Sequence, residues 1–209
     1  MTSTRNLALW TGLLFAFGSA ARPALADDAC VDFKWDVSKE RALFAGTPEI
    51  LPAGKDAKSA PAVAPNRFYK LQLVSQSQVS FAVAPGKKAA SAPAFAGLAN
   101  LKISAAGSYR VAVDLPIWID VAWNETLVPA KDFEGQHSCS APHKIVEFDL
   151  AAVQPLVLQF TNAANESVLL TVTPSPPRHR ELLLRRPPAT RPRNTPSAPP
   201  VSRTPEQRN

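Results

Sequence analysis

The stretch YRVAVDLPIWIDV, residues 109–121, decides the fold class of this chain. Its first half alternates the apolar residues Tyr109, Val111 and Val113 with Arg110, Ala112 and Asp114, and its second half alternates Ile117, Ile119 and Val121 with Trp118 and Asp120. Successive side chains of a β-strand point to opposite faces of the sheet. Each half therefore predicts a strand with one apolar face for a core and one more polar face.

The same alternation recurs along the chain, at residues 69–73, 79–83, 146–150, 156–161 and 168–172. Turn signals lie between these runs, at Pro85-Gly86, Ala106-Gly107, Asn124-Glu125 and residues 162–165. Helical periodicity is nearly absent. Strands at this spacing predict an all-β fold, an antiparallel β-sandwich or jelly roll formed as a single domain.

The N-terminus has the pattern of a secretory signal peptide. Arg5 supplies a positive charge, residues 7–17 are apolar, and Ala24-Leu25-Ala26 is a small-x-small cleavage pattern, which places the cleavage after Ala26. No later segment approaches the roughly 20 apolar residues of a spanning helix. We therefore expect a periplasmic or secreted protein without a transmembrane segment.

The remaining chain divides by composition. Residues 27–66 contain the alternating Phe33, Trp35 and Val37, which predict an N-terminal strand, followed by a linker at 46–65 that is rich in proline and alanine. Residues 67–174 contain the sandwich strands. Residues 175–209 form an Arg/Pro-rich tail, which we predict to be disordered because it cannot bury enough apolar surface to offset its ordering entropy.

The tail also carries the positive charge. It has eight arginines against Glu181 and Glu206, whereas the whole chain has a formal net charge of +6. The folded part is nearly neutral, which argues against nucleic acid as a partner. The tail is either a solubilising extension or a weak contact to an anionic lipid or polysaccharide surface.

The segment GQHSCSAPHKIVEFDL, residues 135–150, brings together two histidines, a cysteine and two acids. Cys30 and Cys139 are the two cysteines of the chain, and in an oxidising compartment they are expected to form a disulfide. A bridged Cys139 is not a nucleophile. No G-x-S-x-G motif is present, and no catalytic residue is assigned.

Metal binding is the other chemistry that this segment suggests. His137, His143 and Glu147 are candidate ligands of a two-histidine, one-carboxylate iron site. If Val146 and Phe148 face the core, however, Glu147 faces solvent. The alternative is that both histidines are exposed or capping residues, with no cofactor.

Trp118 and Asp120 are candidate ligand contacts. If Ile117, Ile119 and Val121 face the core, Trp118 stands on the opposite face beside Asp120. An aromatic side chain in that position can stack on a sugar ring or anchor a partner protein. The alternative is that Trp118 packs under the N-terminal segment held by Cys30.

Two resemblances add to these patterns. The motifs AGSYRV at 106–111, WIDV at 118–121, VEFDL at 146–150 and VLLTV at 168–172 resemble the bacterial pre-peptidase C-terminal (PPC) type of β-sandwich. The resemblance implies a small, secreted, non-catalytic sandwich. The segments CVDFKWDVSKE at 30–40 and KDFEGQHSCSAPHKIVEFDL at 131–150 are similar to short secreted proteins with a homogentisate dioxygenase label, which implies an Fe(II) site of two histidines and a carboxylate.

Three functions follow from the sequence. The first is a secreted, non-enzymatic binding or accessory module whose ligand is a glycan or a protein. The second is a metal-dependent, non-haem iron dioxygenase. The third is a structural protein held at the cell envelope by its basic tail.

Overall fold

Two β-sheets pack face to face, which confirms the predicted all-β sandwich. The computed structural model describes residues 30, 33–90, 93–139, 141–152 and 154–176. Its strands are β1 (Glu49–Pro52), β2 (Ala62–Val63), β3 (Phe68–Gln72), β4 (Val74–Ser75), β5 (Phe95–Leu101), β6 (Gly107–Val113), β7 (Trp118–Trp123), β8 (Thr126–Val128), β9 (Ala130–Gly135), β10 (Lys144–Leu150), β11 (Leu156–Ala163) and β12 (Ser167–Pro174).

The first sheet has the strand order β1-β3-β12-β6-β10-β9. Its neighbours are antiparallel except β1 and β3, which run parallel. Val111 on β6 lies opposite Val146 on β10 and Val172 on β12. Side chains at paired positions point to the same face, so these three valines form one row of the core.

The second sheet has the order β2-β5-β11-β7-β8, and β4 adds to β5. Leu158 on β11 lies opposite Val121 on β7 and Ala99 on β5. Leu158 and Val111 belong to the same buried cluster between the two sheets, and both side chains have no exposed surface. Burying each such side chain stabilises the fold by about 1.5–3 kcal/mol.

The outer face of the first sheet is covered by an N-terminal segment, which we call the N-terminal cover: Cys30 together with residues 33–44. It includes the only helix of more than three residues in the described ranges, α1 (Ser38–Phe44). Phe33 and Val37 pack on Ala112 from β6 and Ile145 from β10.

The predicted N-terminal strand at Phe33, Trp35 and Val37 is therefore wrong. Residues 33–37 lie across the face of the first sheet and form no strand, and the N–H of Lys34 donates to the Glu134 side chain on β9 rather than to a strand backbone. Phe33, Trp35 and Val37 alternate with polar residues because they lie on the side of this irregular segment that faces the sheet.

The outer face of the second sheet is covered by residues 76–90, which we call the second cover. Gln159 on β11 accepts a hydrogen bond from Val83 N and donates one to Val83 O, both at 3.0 Å. Asn162 accepts one from Ala90 N at 2.8 Å. The alternation at Val79–Val83 does not form the predicted strand, because side chains of the sheet take the backbone groups that a strand partner would need.

Residues 46–65, expected as a linker, contribute β1 and β2 to the two sheets. Two parts of this segment lie close together, since a Cβ on Gly54 would lie 2.4 Å from the Cα of Ala60. This segment is thus part of the sandwich.

The predicted signal peptide at 1–26 lies outside the described residues, as does the predicted tail after Pro176. The first tail residue, Ser175, is attached to the first sheet, since its N–H donates to Ser108 O at 2.8 Å. Within the described ranges, no helix combines the length and apolarity needed to cross a membrane.

Candidate ligand-binding cleft

A cleft opens at the side of the sandwich where the chain crosses between the sheets. β8 is the edge of the second sheet and β9 the edge of the first, and only Pro129 separates them. The turn before β8 places Asn124 at φ 45° and Glu125 at φ 59°, the two positive values of a type I′ hairpin. The cleft beside this crossing has a volume of about 240 Å³.

The walls of the cleft are mostly apolar. They are formed by residues of the two edge strands, of the strands next to them and of the crossing: Ile119, Leu127, Val128, Pro129, Phe133, Val146 and Phe148. Phe133 on β9 lies opposite Val146 on β10, so it points to the inner face of the first sheet. It remains 68% exposed because β9 is the edge of this sheet and no described strand lies beyond it. An exposed aromatic at the mouth of an apolar cleft is typical of a binding site.

Trp118 and Asp120 lie together at this cleft, as the sequence predicted for one face of β7. Trp118 Nε1 donates to Asp120 Oδ1 at 2.9 Å, and Gly86 N donates to Asp120 Oδ2 at 3.0 Å. The carboxylate is therefore satisfied on both oxygens, and it fixes the orientation of the indole. The N-terminal cover packs on the other sheet, so the alternative position for Trp118 beneath that segment is wrong.

Two lysines flank the Trp118 ring. Lys144 Nζ lies 5.2 Å from the ring centroid, and Lys87 Nζ lies 5.7 Å from it. Lys144 also lines the cleft and donates to Ile117 O at 2.7 Å. Burial lowers the pKa of Lys144, and the charge of Lys87 lowers it further. The sequence did not predict that either lysine lies beside Trp118, because both come from other segments of the chain.

His137 and His143 lie at the turn that joins β9 to β10. Their rings meet edge to face, with centroids 5.6 Å apart, and Gln136 N donates to His143 O at 2.8 Å. Glu147 is four residues along β10 from His143, roughly 13 Å at the usual strand rise. The structure thus brings the two histidines together but not the third predicted ligand. The described residues hold no group of three His, Cys, Asp or Glu side chains arranged for a metal ion.

Glu147 does not face solvent, and that prediction is wrong. It is 1% exposed, because the N-terminal cover lies over the outer face of the first sheet. Its Oε2 is 3.4 Å from Arg110 Nε and accepts a hydrogen bond from Ser175 Oγ at 2.9 Å. Lys131 Nζ lies 3.7 Å from the other carboxylate oxygen. The Glu147 carboxylate is thus paired with Arg110 and Lys131.

Arg110 organises this buried ion cluster. Its Nη1 donates to Asp36 O at 2.9 Å and lies 3.9 Å from Glu40 Oε1. Its guanidinium stands 4.9 Å from the Trp35 ring centroid. Glu40 accepts a further hydrogen bond from Thr173 Oγ1. These contacts join the N-terminal cover to the sheet, so we assign the cluster a structural role.

Cys30 and Cys139 form the predicted disulfide, with Cα atoms 4.9 Å apart. The bridge fastens the start of the N-terminal cover to the segment before β10. Both cysteines are buried beside Ile145. With its sulfur bonded, Cys139 offers no thiolate for nucleophilic chemistry.

No protein-family model matches the sequence, and no curated protein matches it. The function must therefore be inferred from the cleft and its surroundings.

Proposed function

We propose that this protein is a non-enzymatic binding module of the periplasm or the extracellular space, and that its cleft takes an apolar group of its ligand. The cleft between β8 and β9 carries this proposal. Apolar walls with a few placed polar groups are the usual composition of a ligand pocket.

An apolar group fits the cleft better than a sugar ring does. Sugar hydroxyls need several hydrogen-bond partners, and a buried polar group that lacks them costs roughly 1–3 kcal/mol. The nearest carboxylate, Asp120, already accepts from Trp118 and Gly86. The walls at Leu127, Val128 and Phe148 offer only carbon atoms from their side chains.

The proposed compartment is supported by other features. Residues 1–26 have the pattern of a signal peptide, and disulfides persist mainly in oxidising compartments. The PPC-like pattern at 106–172 agrees with a secreted accessory module.

The dioxygenase alternative gains no support from Glu147, which is paired with Arg110 and Lys131. The envelope alternative depends on the tail beyond the described residues.

Binding of a neutral apolar probe tests the proposal. 3-Phenylpropan-1-ol is titrated into isotope-labelled protein, and amide shifts are followed by NMR. We expect the shifts to centre on β8 and the Trp118 indole. Phe133→Ala should weaken binding by about fivefold or more, since about 1 kcal/mol of apolar contact is lost.

Ile50→Ala is the matched control. Ile50 is also an exposed apolar residue, at 61%, but β1 is the opposite edge of the same sheet. The Ile50→Ala variant should bind the probe as tightly as the wild type does. Shifts spread evenly over the surface, or equal losses in both variants, would refute the cleft as the binding site.

A further inference from the structure

We propose that the ligand of the cleft is a small amphipathic carboxylate, with its apolar body between β8 and β9 and its carboxylate beside Lys87 and Lys144. This inference rests on the proposed function and names the class of ligand. It follows from the size of the cleft and from the charges at its rim.

The size of the cleft limits the apolar body. A cavity of roughly 150 Å³ accommodates benzene. At about 240 Å³ the cleft has room for one ring with a short substituent. The crossing at Pro129 and the Phe133 side chain bound it on the side of the first sheet.

The charges at the rim of the cleft indicate which polar group the ligand carries. Lys87 and Lys144 stand beside the same indole ring, and within the described part of the chain neither forms an ion pair with a carboxylate. The Asp120 carboxylate attracts the Lys144 ammonium, but among the described residues it forms no ion pair with either lysine, and its oxygens accept from Trp118 and Gly86. Two like charges close together repel each other, and an anion between them removes that cost.

The half-buried position of Lys144 strengthens the effect. A charge pair that is partly removed from water attracts more strongly than one on the open surface. Lys144 has one donor engaged with Ile117 O, and an ammonium group carries three. Its remaining donors are free to meet a carboxylate oxygen. A cationic ligand would meet repulsion from both lysines.

The test compares two probes of the same shape and different charge. 3-Phenylpropionate and 3-phenylpropan-1-ol share a ring and a three-carbon chain, and each is titrated by calorimetry at neutral pH and low salt. We expect the carboxylate to bind at least about tenfold more tightly, and the difference to shrink as salt is added.

Two variants assign the effect to the lysines. Lys144→Met and Lys87→Glu should each remove most of the preference for the carboxylate while binding of the alcohol stays within about twofold. Because Lys87 is exposed, we expect Lys87→Glu to fold even if Lys144→Met does not. Lys102→Met, another exposed lysine outside the cleft, is the control and should keep the full preference.

The outcomes separate the two proposals. If both probes bind equally, the cleft is a binding site but the inference of an anionic ligand is wrong. If neither probe binds, both the inference and the proposed function are wrong. A preference that survives in Lys87→Glu and Lys144→Met would also overturn the inference.

Discussion

Glu147 lies directly opposite Arg110 on the neighbouring strand, and its Oε2 is 3.4 Å from the arginine Nε. Both side chains are buried, at 1% and 5% exposure. Arg110 also faces Glu40 from the N-terminal cover. Arg110 thus compensates acids from two separate segments, and these paired charges join the disulfide and the packing of Phe33 and Val37 in attaching the cover to the sheet.

Replacing Arg110 should destabilise the fold strongly. Arg110→Met leaves Glu40 and Glu147 buried with less compensation, and breaking a buried pair costs about 3–5 kcal/mol. Urea unfolding measures the change in the free energy of unfolding. Arg67→Met is the control, since Arg67 pairs with Glu49 at 2.8 Å on the surface, where such pairs contribute at most about 1 kcal/mol. Equal losses in the two variants would contradict the structural role of the buried cluster.

Removing the disulfide should weaken both the fold and the attachment of the N-terminal cover. The bridge joins residues 109 positions apart, and loss of such a bridge costs roughly 2–5 kcal/mol. The double variant Cys30→Ala/Cys139→Ala should show that loss in urea unfolding, with faster amide exchange in α1 than in β11. Reductant should destabilise the wild type to the same level and leave the variant unchanged. Destabilisation of the variant by reductant would point to a cause other than the bridge.

Gly54→Ala should destabilise the sandwich, because the new Cβ would lie 2.4 Å from the Cα of Ala60, a backbone atom that cannot rotate away. Overpacking of this kind costs typically about 1–3 kcal/mol. At Gly107 the nearest atom to a new Cβ is 4.0 Å away, so Gly107→Ala should leave the thermal midpoint unchanged or slightly raised. A tolerated alanine at position 54 would show that β1 and β2 are not packed as described.

Asp114 should make stability depend on pH. Burial raises its pKa above 3.8, and the hydrogen bond from Leu169 N opposes this shift. Because the folded state holds the proton more tightly than the unfolded state does, this contribution to stability is present at low pH and is lost as pH rises from 3.8 through the raised pKa. Asp114→Asn keeps the acceptor without the charge. It should be more stable than the wild type at neutral pH, and the gap should narrow as pH falls and close below pH 3.8.

Asp56→Asn is a control of opposite sign. Hydrogen bonds from Ser59 lower the pKa of Asp56, so its contribution is present above 3.8 and lost as pH falls. This variant should be less stable than the wild type at neutral pH. Urea unfolding across the acidic range measures both variants, and the same direction of change in both would contradict the assignment.

The alternation in the sequence predicted strands where one face meets the core and the other is more polar, as at β6 and β7. It missed β5, whose residues Ala96 to Ala99 are buried on both faces, so that no alternation of polarity remains. It misplaced Val79–Val83 because Gln159, which binds that backbone, lies 76 positions away. Alternation tells which face of a strand a residue is on, but not whether another segment covers that face.

The candidate site was predictable only where its residues belong to the same strand. Trp118 and Asp120 share a face of one strand, so their proximity follows from a spacing of two. Phe133 and Lys144 reach the cleft from the other sheet, and their meeting depends on how the sheets pack. The disulfide was predictable because the chain has two cysteines and the leader pattern of an exported protein.

The N-terminal cover rests on strands from distant parts of the chain. Its Val37 packs on Ala112 of β6 and Ile145 of β10, and its Glu40 accepts a hydrogen bond from Thr173 on β12. Its docking surface is therefore complete only when β12, the last described strand, is in place. A chain truncated before β12 would lack the contact of α1 with that strand and would leave the facing edges of β3 and β6 unpaired.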